Sequence, residues 1–329
     1  MSRIAVVGAT TWGTTLAIRL AHGGATVKLL ARTEKEAGGL QENRESPSLG
    51  VPFPSRLGVT HLPAEALEQA EMVILAVPSQ TMRDNVRGIK GSLSGSPLLV
   101  SVAKGLEAET ALRMTQVLAE ELGPAFSGRV CALSGPNLAR EILQVLPAAT
   151  VLASREDIVA KEAKNLLCIS NLQVQTSTDV VGVELGGALK NVITLAAGIC
   201  EGLGYGDNAK AVLMTLGLAE MVSLGLAAGA REQTFYGLAG VGDLIVTSMS
   251  PLSRNHQVGL ELAKGCRLDE ITASLREVAE GVSTTRGAAL LAGRLGVDAP
   301  VTRAVHRILF EEGDPRDAIL ELLGQTRGR

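Results

Sequence analysis

Aromatic residues are scarce in this chain, as are cysteine, histidine and runs of one charge. Its 329 residues include 4 Phe, 2 Tyr, 1 Trp, 4 Cys and 4 His, and the formal net charge is -3. Without a basic run interleaved with aromatic residues, nothing favours a nucleic-acid partner. The hydrophobic fraction of 46% must therefore fill the core mainly with aliphatic side chains.

The few cysteines and histidines are widely scattered. The cysteines are Cys131, Cys168, Cys200 and Cys266, and the histidines are His22, His61, His256 and His306. Because no C-x-x-C pair, metal spacing or triad spacing occurs, we expect neither a disulfide framework nor a metal site. We interpret the cysteines as small hydrophobic residues of the core and the histidines as surface or loop residues.

The length favours two domains, each able to bury its own core. The N-terminus leads directly into the apolar residues 4–7, without a basic region or a cleavage site, and no apolar run reaches about 18 residues. We therefore expect a cytoplasmic protein that does not insert into a membrane.

The two halves of the chain differ in their hydrophobic pattern. Short apolar runs alternate with amphipathic stretches in the first half, at residues 4–7, 27–30, 72–77, 98–102, 130–133 and 149–152. This pattern predicts an α/β domain with a parallel, doubly wound sheet over residues 1–180. After Asp179, helical spacing at residues 185–199, 209–228 and 318–323 predicts an all-α domain over residues 181–329.

The first apolar run leads into a glycine-containing turn and then a helix, as a dinucleotide-binding fingerprint requires. Gly8 permits the tight turn and Gly13 permits close helix packing, while amides at the helix N-terminus can hold a pyrophosphate. Thr10 occupies the position where the fingerprint has its middle glycine, so its side chain should crowd the ligand unless the hydroxyl turns away or donates to phosphate.

The end of the second apolar run carries Arg32, where an acidic residue would bind the ribose of NAD. A guanidinium group there favours a 2′-phosphate, and hence NADP or the use of both cofactors. The alternative is an ordinary solvated surface arginine.

Three charged residues occur in apolar or glycine-rich surroundings. Lys104 follows an apolar run at the sheet edge where ligands of open α/β folds bind. Lys190 lies in a predicted helix with almost no other charge, so it needs a partner or a purpose. Asp243 is a plausible partner, although Lys190 can also extend to solvent and Asp243 can simply cap the following helix.

The tripeptide Ser253, Arg254 and Asn255 offers a guanidinium group flanked by a hydroxyl and an amide, which suits the oxygens of a phosphate. Such triplets are also common on protein surfaces. This segment therefore indicates that the protein acts on a small phosphorylated substrate.

Together these motifs resemble the NAD(P)-dependent glycerol-3-phosphate dehydrogenase family, in the same order along nearly the whole chain. The matching stretches are residues 8–13, 44–45, 76–79, 104–107, 134–137, 184–191, 237–247, 253–255 and 280–281. The stretches around Lys190 and Asp243 are the most specific. Thr10 and Asn137 depart from the family's usual residues, and residues 43–51 lack its expected tyrosine.

The resemblance implies roles for particular residues. Lys190 would give and take the proton, with Lys104 and Asp243 beside it as further catalytic residues. The implied substrate-binding residues are Lys104, Gly135, Asn137, Lys190, Asp243, Ser253, Arg254 and Asn255. The implied cofactor-binding residues, with those of the fingerprint, are Gly8, Thr11, Trp12, Gly13, Arg32, Lys104, Ala139, Arg254, Val278 and Glu280.

The resemblance also implies a Rossmann-like N-terminal domain, a C-terminal domain like that of 6-phosphogluconate dehydrogenase, and a cleft between them. The expected reaction reduces dihydroxyacetone phosphate to sn-glycerol 3-phosphate with NADPH or NADH, in supply of the phospholipid backbone. A homodimer is the usual state of the family. Two alternatives stay open: a related dehydrogenase for another small substrate, and a non-catalytic NAD(P) sensor.

Overall fold

A computed structural model describes residues 2–167, 169–274 and 279–324. The chain forms two compact units. Unit 1 contains Met1–Ala103 and Met114–Val180, and unit 2 contains Lys104–Arg113 and Val181–Arg329. Cys168 and Val278, which were assigned to the core and to the cofactor site, lie outside the described residues.

Unit 1 is built on an eight-stranded sheet with the order β10-β9-β8-β7-β6-β1-β2-β5. Its strands are β1 (Arg3–Val7), β2 (Thr26–Leu30), β5 (Leu57–Thr60), β6 (Met72–Leu75), β7 (Leu98–Ser101), β8 (Val130–Ser134), β9 (Ala148–Ser154) and β10 (Leu172–Ser177); the short β3 (Glu45–Ser46) and β4 (Val51–Pro52) pair separately. Strands β6, β7 and β8 are buried along their whole length. A strand needs apolar side chains at every position when helices cover both faces of its sheet.

The helices of unit 1 connect its strands. They are α1 (Thr11–His22), α2 (Glu34–Asn43), α3 (Pro63–Ala66), α4 (Met82–Lys90), α5 (Met114–Leu122), α6 (Ala139–Leu143) and α7 (Asp157–Leu166). The chain proceeds outward from β1 through β2 to β5 on one side and from β6 through β7 to β8 on the other. The order therefore reverses beside the carboxyl end of β1, which is where open α/β sheets bind ligands.

All six predicted strands form, but one has a direction that the sequence reading did not predict. Strand β9 is antiparallel to β8 and parallel to β10, whereas β8 is parallel to β7. The connection from β8 to β9 contains only the short helix α6. That connection does not carry the chain back across the sheet, as a parallel crossover would require. Strands β5 and β10 were not predicted.

Unit 2 is helical. Its helices are α8 (Val180–Gly202), α9 (Gly206–Ala227), α10 (Glu232–Phe235), α11 (Asp243–Met249), α12 (Arg254–Ala263), α13 (Leu268–Ser274), α14 (Glu280–Leu295), α15 (Pro300–Phe310) and α16 (Pro315–Leu322), with a π-helical turn at Leu238–Gly242. In the described part of this unit, strand pairing is limited to the single bridge between Leu106 and Arg113.

Helices α8 and α9 are long and apolar enough to cross a membrane by length and composition alone. The most apolar window of α8 is 89% buried inside the protein, and that of α9 is 39% buried. Helix α9 also carries the buried carboxylate of Glu220, which accepts hydrogen bonds from the backbone of Val301 and Thr302 at the start of α15. Both helices thus belong to the packing of unit 2.

Residues Lys104–Arg113 leave unit 1 and pack within unit 2, although the sequence division at 180/181 placed them in the first domain. Leu106 is fully buried in the aliphatic core of unit 2. The partly buried side chain of Arg113 forms an ion pair at 2.5 Å with the buried Glu184, which anchors the end of this segment to α8. Sequence periodicity did not reveal this excursion because the segment contains neither a strand nor a helix.

Candidate functional site

The fingerprint turn of unit 1 lies at the carboxyl end of β1. Gly8 has φ +105°, and a β-carbon there would lie 2.7 Å from the carbonyl oxygen of Ala76. At Gly13 a β-carbon would lie 2.2 Å from the carbonyl oxygen of Gly8. Both positions therefore require glycine for the turn and for the close approach of α1.

The hydroxyl group of Thr10 forms its hydrogen bonds within the protein, so it turns away, which is one of the two arrangements that the sequence reading allowed. Its Oγ1 donates to the carbonyl oxygen of Ala76 at 2.8 Å and accepts from the backbone N–H of Gly13 at 3.1 Å. Thr10 is thus the N-cap of α1. The first turn of α1 carries Thr11 and Trp12, both partly buried, at the same end of the helix.

Arg32 is exposed just beyond the carboxyl end of β2. Its backbone N–H donates to the carboxylate of Glu36 at 2.8 Å, while Thr33 caps α2 by accepting from the N–H of Glu36. These bonds fix the backbone around Arg32 and leave its side chain pointing to solvent. An exposed guanidinium group at this position could hold a phosphate.

The second segment of unit 1 that was expected to contact a ligand follows β8. Gly135 has φ +148°, and the amide Nδ2 of Asn137 donates to the hydroxyl of Thr150 at 3.0 Å. The amide oxygen of Asn137 is buried and has no hydrogen-bond partner among the described residues. An acceptor in this position suits a ligand hydroxyl or amide donor. Ala139 begins α6 directly afterwards.

Unit 2 brings Lys104, Lys190 and Asp243 together. The Nζ of Lys104 lies 2.6 Å from Oδ2 of Asp243, and the Nζ of Lys190 lies 2.7 Å from Oδ1. The side chains of Lys104, Lys190 and Asp243 are 18%, 6% and 1% exposed. One carboxylate therefore bridges two ammonium groups, and the cluster carries a net positive charge.

Glycine and a π-turn bring α8 and α11 together around this cluster. Asp243 is the first residue of α11 and directly follows the π-helical turn. A β-carbon on Gly186 would lie 2.5 Å from the carbonyl oxygen of Ala239 in that turn. Glycine at position 186 therefore allows the backbone of the π-helical turn to approach α8 closely.

The pKa values in the cluster follow from burial and neighbouring charge. Burial lowers the pKa of Lys190 to about 8; Asp243 opposes this shift, and the positive charge of Lys104 adds to it. Burial alone would raise the pKa of Asp243, but Lys104 and Lys190 outweigh it and hold the pKa below its ordinary value. A lysine that titrates close to neutral pH can both give and take a proton.

The triplet at residues 253–255 forms the start of α12. Ser253 is buried, and its hydroxyl caps the helix by accepting from the N–H of His256. Asn255 is also buried, whereas Arg254 is exposed. Glu280 begins α14, and its neighbour Gly281 donates its backbone N–H to the amide oxygen of Asn255 at 2.9 Å.

The structure adds residues to the cluster that the sequence reading missed. Lys190 donates to the hydroxyl of Thr247 at 2.5 Å, and Thr247 donates to Asp243 at 3.2 Å. Thr247 lies one helical turn after Asp243, and that spacing could have revealed it. The amide of Asn191, next to Lys190, donates to the carbonyl oxygen of Lys104 at 3.1 Å.

The expectation for His256 was wrong. This residue is buried, and its Nε2 lies 3.1 Å from Oε2 of Glu201. It lies in the first turn of α12 and packs against α8. A single histidine in the sequence gave no indication that it would be buried there. Cys131 and Cys200 are buried as expected, while Cys266 is partly exposed. Across the described residues, His, Cys, Asp and Glu side chains gather in no group of three or more that could hold a metal ion.

A nucleotide-binding sheet in one unit and a buried lysine–aspartate cluster in a helical unit define a two-domain dehydrogenase. The family models for the N-terminus and C-terminus of NAD-dependent glycerol-3-phosphate dehydrogenase match residues 3–160 and 179–320. The chain belongs to this family, as its sequence motifs indicated, and is an oxidoreductase of the NAD(P)-dependent kind.

Whole-chain relatives agree. A glycerol-3-phosphate dehydrogenase [NAD(P)+] of Dehalococcoides mccartyi strain 195 is 50% identical, covering 98% of this chain and 91% of that protein. One from Syntrophotalea carbinolica is 45% identical, covering 98% of both. The crystal structure of the Coxiella burnetii glycerol-3-phosphate dehydrogenase is 34% identical, with a TM-score of 0.91 over 98% of this chain and 99% of that one.

Proposed function

We propose that this chain reduces dihydroxyacetone phosphate to sn-glycerol 3-phosphate with NADPH or NADH. The observation that carries the proposal is the buried bridge of Lys104, Asp243 and Lys190, because it offers an acid of suitable pKa inside a positively charged cluster. The alternatives, a dehydrogenase for another substrate and a non-catalytic sensor, have no comparable support from the comparisons.

The residues of unit 1 fit a dinucleotide. The Gly8 turn and the close packing at Gly13 give the strand-to-helix turn that binds a pyrophosphate at a helix N-terminus, and the Thr10 hydroxyl turns inward to cap α1. NAD(P)H, when bound, supplies the hydride for the C2 ketone. Arg32 would bind a 2′-phosphate, and Ala139 and Glu280 are further proposed cofactor contacts.

Lys190 is the proposed general acid. Its ammonium group donates a proton to the alkoxide that develops at C2 and becomes a neutral amine, which regains a proton from water before the next turnover. Asp243 and Thr247 each bond to its Nζ and so fix the direction of the donated proton. In the reverse direction the neutral amine takes the hydroxyl proton of glycerol 3-phosphate.

Lys104 and Arg254 supply the positive charge that a phosphorylated, anionic substrate requires. Lys104 bonds to the second oxygen of Asp243, and the positive charge of Arg254 also lowers the pKa of Lys190, by less than burial and Lys104 do. Gly135 and Asn137 are the proposed substrate contacts from unit 1, and the unpaired amide oxygen of Asn137 suits a substrate hydroxyl.

The test is turnover followed by NADPH absorbance with dihydroxyacetone phosphate. We expect activity in the native protein and a loss of about 100-fold or more in kcat for Lys190→Ala. Lys264→Ala is the matched control, because Lys264 is an exposed lysine of the same unit paired with Glu261. No turnover by the native protein would disprove the substrate, and full activity of Lys190→Ala would disprove the acid.

We also infer a homodimer formed through the exposed face of α9. Val212, Leu216 and Leu226 are exposed there, and the hydroxyls of Thr215 and Ser223 bond within the helix, which leaves an apolar stripe. Two copies related by a twofold axis can cover the same stripe on each other.

The test of the dimer is its mass by light scattering. Leu216→Glu should yield monomers at concentrations where the native chain is dimeric. Ile158→Glu, an equally apolar exposed site in unit 1, should leave the mass unchanged. A monomeric native protein would disprove the dimer. We further propose a cytoplasmic location and a role in supplying glycerol 3-phosphate for phospholipid synthesis.

A further inference from the structure

The segment Lys104–Arg113, which packs within unit 2, is closed on itself by backbone contacts. Leu106 and Arg113 form an antiparallel bridge, and the backbone N–H of Glu107 donates to the carbonyl oxygen of Leu112 at 3.0 Å. These contacts hold the two ends of the segment in a fixed position relative to each other. We call the segment Lys104–Arg113 the lysine loop.

The lysine loop is packed against two helices of unit 2. Leu106 is fully buried, and a β-carbon on Gly287 of α14 would lie 2.9 Å from its Cβ atom. The amide Nδ2 of Asn191 on α8 donates to the carbonyl oxygen of Lys104 at 3.1 Å. The first residues of the loop are therefore fixed by both an apolar contact and a polar contact.

The last residue of the lysine loop is held by charge. The guanidinium group of Arg113 lies 2.5 Å from Oε2 of Glu184, and the two side chains are 12% and 6% exposed. Glu184 and Lys190 are the only charged residues between positions 180 and 199. They lie six residues apart on α8, which is ~9 Å along the helix axis. One helix thus carries both the anchor of the loop and the proposed acid.

The lysine loop and α8 are joined by charge at two points. At one point the carboxylate of Asp243 bridges the ammonium groups of Lys104 and Lys190, and at the other Arg113 meets Glu184. A buried ion pair adds little net stability, because desolvation offsets its attraction, and apolar residues of similar size would stabilise the fold as well. What the pair does supply is one directed, charge-assisted contact.

We propose that Arg113 and Glu184 are positioning residues that fix the lysine loop on α8 and so hold the ammonium group of Lys104 at Asp243, beside Lys190. Both residues act on the reaction through Lys104. The proposal rests on the proposed function for its effect on turnover and on the ion pair for its geometry.

The pKa of Lys190 reports where the ammonium group of Lys104 lies. Burial lowers this pKa to about 8, Asp243 raises it, and the positive charges of Lys104 and Arg254 lower it further. If the lysine loop shifts and Lys104 leaves Asp243, one of the opposing cations is lost and the carboxylate acts on Lys190 alone. The pKa of Lys190 should then rise above about 8.

The charges of Arg113 and Glu184 would have a different effect if they acted on Lys190 directly. Removing the negative charge of Glu184 would lower the pKa of Lys190, whereas removing the positive charge of Arg113 would raise it. Loss of positioning raises the pKa in both cases. The two single variants therefore separate positioning from a direct charge effect.

The experiment compares Arg113→Met, Glu184→Leu and the double variant. In all three, the falling limb of the pH profile of kcat for reduction should move to higher pH by about 0.5–1 unit, since Lys104 moves away without being removed. The KM for dihydroxyacetone phosphate should rise about 10-fold, as expected for the loss of one contact to an anionic substrate. Opposite movements of the limb in the two single variants would overturn the proposal.

The double variant separates positioning from stability. Each single variant leaves a buried charge without its partner and should unfold at lower denaturant concentration, whereas the double variant should be nearly as stable as the native protein. Its limb and its KM should nevertheless stay shifted. A return of both to native values together with stability would show that the pair is merely structural. Where a single variant does not fold, the double variant alone carries the test.

Arg83→Met is the matched control. Arg83 forms an ion pair of similar burial with Glu121, at 2.7 Å with side chains 20% and 13% exposed, but this pair joins α4 and α5 of unit 1. The control variant should lose stability while the pH profile and the KM for dihydroxyacetone phosphate stay as in the native protein.

A second measurement does not depend on activity. In protein labelled with ¹³Cε-lysine, the resonance that is absent from Lys190→Met belongs to Lys190 and can be titrated by NMR. Its midpoint should lie near pH 8 in the native chain and higher in the double variant. A native midpoint in the double variant would overturn the proposal. A raised midpoint in a protein without turnover would instead disprove only the proposed function.

Discussion

Replacing Asp243 by Asn removes the negative charge between two lysines while keeping the size of the side chain. With ~4 Å between charge centres and an effective dielectric constant of about 20, one carboxylate stabilises the Lys190 ammonium by about 4 kcal/mol, or roughly 3 pKa units. Shifts caused by a neighbouring opposite charge are commonly about 1–3 units. The pKa of Lys190, about 8 in the native protein, should therefore fall to between about 5 and 7.

The consequence differs between the two directions of the reaction. At pH 7 a lysine of pKa about 8 is mostly protonated, whereas one of pKa about 6 is ~10% protonated, so reduction should lose about 10-fold from protonation alone. Oxidation of glycerol 3-phosphate requires the neutral amine. The rising limb of its pH–rate profile should therefore move to lower pH by the same amount as the pKa of Lys190.

The assay is the pH profile of kcat in both directions for native protein and Asp243→Asn. Asp298→Asn is the control, because Asp298 forms an exposed ion pair with Arg303. Its profile should match that of the native protein. The reasoning would be refuted if the limb of the Asp243→Asn pH–rate profile stayed near pH 8 or moved to higher pH. Equal losses in both directions at every pH would indicate structural damage alone.

Because the pKa of Lys190 is lower in the folded than in the unfolded protein, the free energy of unfolding of the native protein should rise by about 3 kcal/mol between pH 8 and 10.5. Lys190→Met should lack this rise, and a curve for the variant that runs parallel to the native one would contradict the shift. Thr10→Val should lower unfolding free energy by about 1 kcal/mol in denaturant titrations, because α1 loses its N-cap, and no change would refute that role. Arg32→Ala should weaken NADPH binding more than NADH binding by fluorescence titration; equal losses would return Arg32 to an ordinary surface role.

Sequence reasoning was most successful where one local pattern carried the information. Six apolar runs became six strands, and the turn from β1 to α1 followed from Gly8 and Gly13. Lys190 and Asp243 were paired on chemical grounds alone, because a charge in apolar surroundings requires a partner. The structure brings them to 2.7 Å.

The features that were missed depend on contacts between distant segments. The direction of β9 depends on how its connection from β8 packs, and the excursion of residues 104–113 depends on the core that receives Leu106. The buried position of His256 likewise follows from the packing of α12 on α8. Composition and periodicity contain no record of such partners.

The amino-acid sequence by itself determined the two kinds of domain, the nucleotide-binding turn and the charged residues of the cluster, because each follows from local periodicity, glycine geometry or the cost of an isolated charge. Only the tertiary structure decided that one carboxylate pairs with both lysines, and that burial lowers the pKa of Lys190 more than this carboxylate raises it. The hydrogen bonds of Asn255 to Asn191 and Gly281 were likewise decided by the tertiary structure. Those outcomes depend on desolvation and on distances of a few ångströms between segments that lie far apart along the chain.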